Sequence, residues 1–364
     1  MVVKVAVIGC GYWGPNLIRN FNELDNAEVA MISDLRPERL RTMSGKYPKM
    51  QVTVDHNEVL NNPDIDAVAL ATPVETHYPL ASTAIKNGKS VFIEKPLTAS
   101  VNEAEELIEL AERHNQKLMV GHTFVYTGAV RKIKEFIDNR ELGNINYFDS
   151  VRVNLGLFRP TVNVLWDLAP HDISIMDYLL GSEPEFVSAV GACHSGTGIE
   201  NIAYITIHYP GNLLAHIHVN WLAPVKLRKV LISGTKKMIV YDDTEPDEKV
   251  KVYDKGIMIN DDEDKMYSQM VEYRIGDMYA PKLDTSEALR TECGHFVDCI
   301  INDKKPITDG EAGLRVVKIL QAAQLSMENN NERVDIRCIR KSPATLSSEK
   351  MSKSSTSSTS MAAV

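Results

Sequence analysis

Val2-Val3-Lys4-Val5-Ala6-Val7-Ile8-Gly9-Cys10-Gly11-Tyr12-Trp13-Gly14 follows the first methionine. The β-branched run of residues 2–8 predicts a strand, and the segment from about Pro15 to Phe21 has helical spacing, so the glycines fall on a tight strand-to-helix turn. Each glycine of G-x-G-x-x-G then has a physical purpose. Gly9 permits the turn, Gly11 lets backbone approach a pyrophosphate, and Gly14 permits close helix–strand packing, while the helix N-terminus stabilises phosphate charge. Tyr12 and Trp13 fill the variable positions, either near a nicotinamide ring or in the core.

Outward from this turn the alternation continues. Strands are predicted at 28–33, 67–72, 90–93 and 117–120, and helices at 37–46, 78–87 and 100–114, the last opened by the capping-box spacing of Ser100 and Glu103. Such repeats predict a parallel sheet with helices on both faces, the Rossmann arrangement. The second strand ends at Asp34, twenty-five residues after Gly9. Its carboxylate can accept hydrogen bonds from adenosine ribose hydroxyls and would repel a 2′-phosphate, favouring NAD over NADP. Arg36 and Arg39 follow, suited to stacking on adenine or to holding such a phosphate.

Beyond Gly121 the pattern changes. A helix at 129–139 precedes strands at 145–153, 185–193, 203–209, 213–221, 228–233, 238–241 and 249–253, and helices at 286–301 and 310–327 close the fold. The expected architecture is an α/β N-terminal Rossmann fold over residues 1–122, then an α+β C-terminal domain over 123–338 with a large, mostly antiparallel open sheet. In 213–221, His216, His218 and Asn220 alternate with Ala215, Ile217, Val219 and Trp221. That period places the histidines on an outer face, with no carboxylate or cysteine partner nearby to make a metal site.

Composition bounds the function. The chain has 364 residues, 44% hydrophobic and 24% charged, long enough for two globular cores. A formal net charge of −9 argues against a general nucleic-acid or anionic-membrane binder. Cys10, Cys193, Cys293, Cys299 and Cys338 form no CxxC pair and no zinc spacing, which reads as reduced thiols of a cytoplasmic protein. No leader and no span of ~20 apolar residues is expected. The Ser/Thr-rich tail, 341–364, has too little apolar content to fold. A broad sheet with one face uncovered by helices calls for a homo-oligomer, dimer or tetramer.

Two further segments bear on chemistry. Ala71-Thr72-Pro73 closes one strand with His77 just beyond, and Glu94-Lys95-Pro96 closes the next; ligands of such sheets sit at strand C-termini. With the glycine turn, in this order and spacing, they make residues 3–335 resemble the Gfo/Idh/MocA oxidoreductases. The cofactor residues expected are Gly9, Gly11, Tyr12, Trp13, Gly14, Asp34, Arg39, Thr72, Pro73, His77, Glu94 and Lys95. The resemblance implies that Lys95 contacts substrate and that the Lys95–Pro96 bond is often cis. The family's second signature is similar to Trp166-Asp167-Leu168-Ala169-Pro170-His171-Asp172, where Asp167 and His171 would share a helix face. His171 is thereby the implied general acid/base, with Asp167 nearby and Trp166 at the substrate. Pro170 departs from the pattern and suits a helix start. The implied reaction removes a sugar hydroxyl proton to His171, with an ordinary imidazole pKa near ~6.5, while Lys95 polarises the oxygen and hydride goes to nicotinamide.

Within the family, Gly121-His122-Thr123-Phe124-Val125-Tyr126, and Arg152-Val153-Asn154-Leu155-Gly156 leading to Asn163-Val164-Leu165-Trp166-Asp167, are similar to UDP-N-acetylglucosamine and UDP-N-acetylglucosaminuronate 3-dehydrogenases. That likeness implies oxidation at C3 of a UDP-N-acetylhexosamine or its uronate, toward amino sugars of surface polysaccharide or lipid A. For the diphosphate, Arg152, Arg159, Lys226 and Arg228 are the candidate cations, with Asn154 beside them. The alternatives are an inositol or simple-sugar dehydrogenase, a 3-keto sugar nucleotide reductase of the same family, and an NAD-binding regulatory protein without turnover.

Overall fold

A computed structural model describes residues 2–156, 162–196, 198–259 and 271–339; Arg159 and the tail at 341–364 lie outside them. Six short strands, β1 (Val3–Ile8), β2 (Ala27–Ser33), β3 (Gln51–Thr53), β4 (Ala67–Leu70), β5 (Ser90–Glu94) and β6 (Leu118–Gly121), form one sheet. All its pairs are parallel, in the order β3-β2-β1-β4-β5-β6. Helices α1 (Gly14–Asn22), α2 (Pro37–Lys46), α3 (His56–Leu60), α4 (His77–Lys86) and α5 (Val101–Arg113) accompany it. Strands β1, β4, β5 and β6 read as nearly continuous apolar runs because helices cover both faces. The short β3 and α3 were not predicted, since three and five residues show no period.

Register aligns the strand ends. Ile8 stands opposite Ser33 and Leu70, Leu70 opposite Ile93, and Glu94 opposite Gly121. The turns that follow therefore stand side by side along one edge, where the strand order reverses between β1 and β4.

The second half begins with α6 (Gly128–Asp138), β7 (Ile145–Leu155) and α7 (Val164–Leu180). It continues with β8 (Phe186–Ala192), β9 (Ile202–His208), β10 (Leu214–Asn220), β11 (Leu222–Gly234), β12 (Met238–Asp242), β13 (Val250–Tyr253), β14 (Gly256–Ile259), β15 (Val271–Arg274) and β16 (Met278–Tyr279). Among the described residues, helices α8 (Ala288–Ile301) and α9 (Gly310–Glu328) and strand β17 (Val334–Asp335) follow. Nine strands form a sheet in the order β16-β13-β12-β11-β7-β10-β9-β8-β17. It is mostly antiparallel, as expected, but β7 and β10 pair in parallel. After β7 the chain crosses through α7 and returns as the meander β8-β9-β10, so β10 arrives beside β7 running the same way.

Helix α7 was not predicted as a full element because it is buried on nearly all sides and carries no polar stripe. On β10, Ala215, Ile217, Val219 and Trp221 just beyond it are buried, while His216 and His218 lie on the outer face, with Tyr204 stacked 4.3 Å from His218. Helix α9 packs on α5, α7 and β8, and α8 on α1. These contacts tie the two sheets around one edge of the first. Among the described residues no helix is long and apolar enough to cross a membrane.

Candidate active site

The glycine turn is shaped by contacts that exclude side chains. Gly9 has φ of 99°, and a Cβ there would stand 2.6 Å from the Ala71 carbonyl oxygen. At Gly14 a Cβ would come within 1.9 Å of the Gly9 carbonyl oxygen, so this glycine serves the turn against its own helix start. Gly11 is different: its Cβ would meet only Arg39 Nη1, at 3.5 Å, leaving backbone that a ligand can approach. No side chain caps the start of α1. Asp34 holds the turn, with Oδ2 accepting from the Cys10 N–H at 2.7 Å and Oδ1 from the Arg36 N–H at 2.9 Å. Arg39 Nη1 lies 3.3 Å from Oδ2, beside the Gly11 backbone. A cradle only glycine can form, an uncapped helix start and an adjoining carboxylate fit a dinucleotide. Of the two readings for the variable positions, Tyr12 is 92% exposed and not in the core, whereas Trp13 packs against the apolar cluster under the turn.

At the ends of β4 and β5, His77 is spent on backbone. Its Nδ1 lies 3.0 Å from the Pro96 carbonyl and its Nε2 3.0 Å from the Thr72 carbonyl, so the buried ring stands between the two turns, and in its neutral form it donates to one of these carbonyls. Thr72 Oγ1 accepts from the Thr76 hydroxyl at 2.7 Å, and Pro73 leads into that turn. The Lys95–Pro96 bond is cis. Glu94 Oε1 is enclosed without a partner, and burial pushes its carboxyl up to about 8, so at neutral pH it is an acid and not an anion. Glu292 on α8 is also raised, by burial and then by Glu94, and accepts from Thr123 Oγ1 at 2.7 Å.

Across the edge lies α7. Lys95 Nζ donates to the Asp167 carbonyl at 2.7 Å and stands 4.0 Å from Asp167 Oδ1, while Oδ2 accepts from Trp221 Nε1 at 3.2 Å. Pro170 does not start the helix, contrary to expectation. Asn163 does, its side chain accepting from the Trp166 N–H, and Pro170 lies inside. A proline there offers no N–H to the Trp166 carbonyl and crowds the preceding turn; the next carbonyl along, that of Asp167, is the one Lys95 takes.

His171, one turn after Asp167, packs edge-to-face on Phe124 with centroids 5.1 Å apart, and its Nδ1 is buried without a partner. The expectation of an ordinary imidazole needs correction. Burial first, and then the charges of Lys95, Arg152 and Arg228, hold His171 well below its usual pKa. It is therefore a neutral acceptor at physiological pH.

The proposed phosphate cations are differently placed. Arg152 is buried and committed: its Nε lies 2.5 Å from Asp172 Oδ2 and its Nη2 3.3 Å from Oδ1, with Ser150 Oγ donating to Oδ1 at 2.7 Å. Its guanidinium lies 4.5 Å from the Phe124 ring centre. It acts on the site through its field, not as a free phosphate ligand. Arg228 stands opposite Arg152 in the sheet, bonds Asp243 Oδ2 at 3.1 Å and is a third exposed. Lys226 is exposed at the irregular start of β11, the Asn154 amide donates to the Leu155 carbonyl, and Trp166 is half-buried against the core.

Two family matches decide what this arrangement belongs to. Residues 3–122 match the oxidoreductase family with an NAD-binding Rossmann fold, and residues 134–336 match the same family's C-terminal alpha/beta domain. The chain belongs to the Gfo/Idh/MocA oxidoreductases. Among its Gfo/Idh/MocA relatives, an uncharacterised oxidoreductase, YrbE of Bacillus subtilis, is 26% identical over 89% of this chain and 94% of its own. Myo-inositol 2-dehydrogenase of Thermotoga maritima is 25% identical over 90% and 96%. The solved structure of UDP-N-acetylglucosamine 3-dehydrogenase GnnA from Acidithiobacillus ferrooxidans superposes with a TM-score of 0.76 at 22% identity, covering 91% of this chain and all of that one; at that identity it speaks to fold alone.

Several neighbours of this candidate site were not singled out from the sequence. Phe124, Asp172, Trp221 and Glu292 set its geometry and charge. Trp221 was legible as an inward position by strand alternation, but its bond to Asp167 spans 54 residues. Asp172 sits inside the quoted signature, yet nothing local reveals that it neutralises Arg152.

Proposed function

We propose that this protein is an NAD-dependent dehydrogenase that oxidises a secondary hydroxyl of a sugar or polyol to a ketone. The reading rests on one juxtaposition: the Lys95 ammonium, the Asp167 carboxylate and a neutral His171, gathered where the parallel strands end beside the glycine cradle. When bound, NAD supplies the hydride acceptor. Lys95 donates a hydrogen bond to the substrate oxygen and stabilises the alkoxide character that grows there. His171 accepts the hydroxyl proton, which it can do at neutral pH because its surroundings keep it uncharged. Asp167, held by Trp221 and facing Lys95, keeps the ammonium in place.

The finer reading is a UDP-N-acetylhexosamine or its uronate oxidised at C3, supported by the likeness of segments 121–126 and 152–167. The inositol reading gains from one observation. Of the candidate cations, Arg152 is committed to Asp172 and Arg228 is bonded to Asp243, which weakens the case for a diphosphate site. Incubating the protein with NAD and UDP-N-acetylglucosamine, its uronate, myo-inositol or glucose, with 2-oxoglutarate present in parallel to recycle bound NADH, separates the two by NADH absorbance. Absence of NADH formation and of keto product with every compound sinks the dehydrogenase reading. We also propose a cytoplasmic homo-oligomer joined through the outer sheet face, where Val190, Tyr204, Leu214 and Leu227 are exposed; light scattering after gel filtration tests it.

A further inference from the structure

We propose that Phe124 is a positioning residue for the catalytic histidine: its ring, and not a hydrogen bond, holds the His171 imidazole in place, and it does so without lending the imidazole a charge. This rests on the dehydrogenase reading above. An imidazole that accepts a proton at one nitrogen is ordinarily turned and fixed by a hydrogen bond at the other. At His171 that bond is missing among the described residues, because Nδ1 is enclosed and has no partner. Helix α7 fixes the His171 backbone, with Ser174 Oγ donating to its carbonyl at 2.8 Å, but leaves the side-chain rotamer to packing. What the imidazole meets is Phe124, edge-to-face, with centroids 5.1 Å apart and planes at 71°, a geometry that ring pairs prefer.

Phe124 is itself held. It lies in the short helical turn Thr123–Tyr126 that follows β6. On one flank Thr123 Oγ1 donates to Glu292 Oε2 of α8 at 2.7 Å, and on the other the Tyr126 hydroxyl lies 3.1 Å from Thr308 Oγ1. Thr127 Oγ1 donates to the Phe124 carbonyl at 2.8 Å. The Arg152 guanidinium stands over the ring, 4.5 Å from its centre, with that of Arg228 5.8 Å away, and cation–π attraction favours both. Arg152 in turn is fixed by Asp172, the residue next to His171 in α7. The contacts close on themselves: Arg152 grips α7 through Asp172 and covers the Phe124 ring, and that ring bears on the imidazole.

An aromatic ring orients a base differently from a carboxylate. A carboxylate at Nδ1 would stabilise the imidazolium and raise its pKa, whereas Phe124 supplies no such charge. The groups facing His171 are Lys95 from β5, Arg152 from β7, Arg228 from β11 and His122 beyond β6, and all disfavour its protonation. Asp167 and Asp172, on its own helix, face Lys95 and Arg152. The imidazole is thereby both aimed and kept neutral, the state in which it accepts the hydroxyl proton.

The test compares wild type with Phe124→Leu, which removes the ring and keeps apolar bulk, and with Phe124→Tyr, which keeps the ring at this half-buried position. Phe124→Leu should lower kcat about 10- to 100-fold, as misdirection of a base does, with KM and NADH affinity within about twofold of wild type. Water reaching the imidazole should move the acidic limb of kcat/KM upward, and the His171 pKa read by NMR of histidine-labelled protein should rise with it. Phe124→Tyr should recover most of the lost kcat and return the limb. A folded Phe124→Leu with wild-type kcat and an unmoved His171 pKa overturns the positioning role and leaves the dehydrogenase reading intact. A loss confined to KM overturns it too, because Phe124 would then be a substrate contact. If Phe124→Leu does not fold, Phe124→Met is judged by the same outcomes. A wild type inactive toward every sugar and polyol overturns the dehydrogenase reading instead, and the NMR pKa still decides whether Phe124 controls His171.

Discussion

At the glycine turn the surface is backbone, shaped by Gly9 and Gly14, where no Cβ can fit, and held by one carboxylate. At His171 it is made of side chains from β5, α7, β7 and β11, whose charges act on one another. The first kind of site leaves no room for added atoms at Gly9 and Gly14 but carries little electrostatic tension. The second tolerates atoms but depends on every charge having its partner. A mutation at the turn should therefore act through shape, and one at the crevice through protonation.

The strongest way to break that contrast is His171→Ala. It should lower kcat/KM by about 1,000-fold while leaving NADH affinity within about twofold, as read by fluorescence titration; a large loss of NADH affinity would mean that the two sites are not separable. Next, Asp172→Ala leaves Arg152 buried and unpaired, and should cost about 3–5 kcal/mol in denaturant unfolding. Gly14→Ala places a methyl against the Gly9 carbonyl and should cost about 1–3 kcal/mol. Unlike the others, it should also weaken NADH binding at least about tenfold without moving the pH profile, because it distorts the phosphate-facing turn.

The pH dependence sharpens the comparison. The acidic limb of kcat/KM should lie below the ordinary imidazole pKa of about 6.5, since activity is lost only as pH falls through the depressed pKa of His171. Arg228→Ala removes one of the charges responsible, so the limb should move upward. Stability follows the same sign. His77, His122 and His171 are all held below their ordinary values, so the unfolded chain takes up more protons, and Tm should fall as pH drops from about 6.5. The smallest effect belongs to Arg39→Ala. Its partly exposed bond to Asp34 contributes at most about 1 kcal/mol, so Tm should barely change and NADH affinity should fall by less than about tenfold.

What could be read early follows from where each interaction lies along the chain. The glycine turn was legible because its parts are neighbours: a β-branched strand, three glycines and a helix start occupy a dozen residues, and the Asp34 that clamps them ends the next strand. The parallel sheet was legible for the same reason, as was the outer face of β10 from its alternation. Helix α7 was not, since burial on all sides removes the stripe that marks a surface helix, and Pro170 pointed to a start that Asn163 supplies. His77 drew attention as a ligand at a strand end, and only the structure places it between two backbone carbonyls.

The sequence by itself determined a dinucleotide-binding first half and the residue types of the crevice, because steric and periodic signals are local. Tertiary structure alone decided that Arg152 is spent on Asp172, that Glu94 is a neutral acid and that His171 is a depressed base. Those properties arise from burial and from charges brought together across strands far apart in the chain, and Coulomb and desolvation energies depend on distance in space, not on position in sequence.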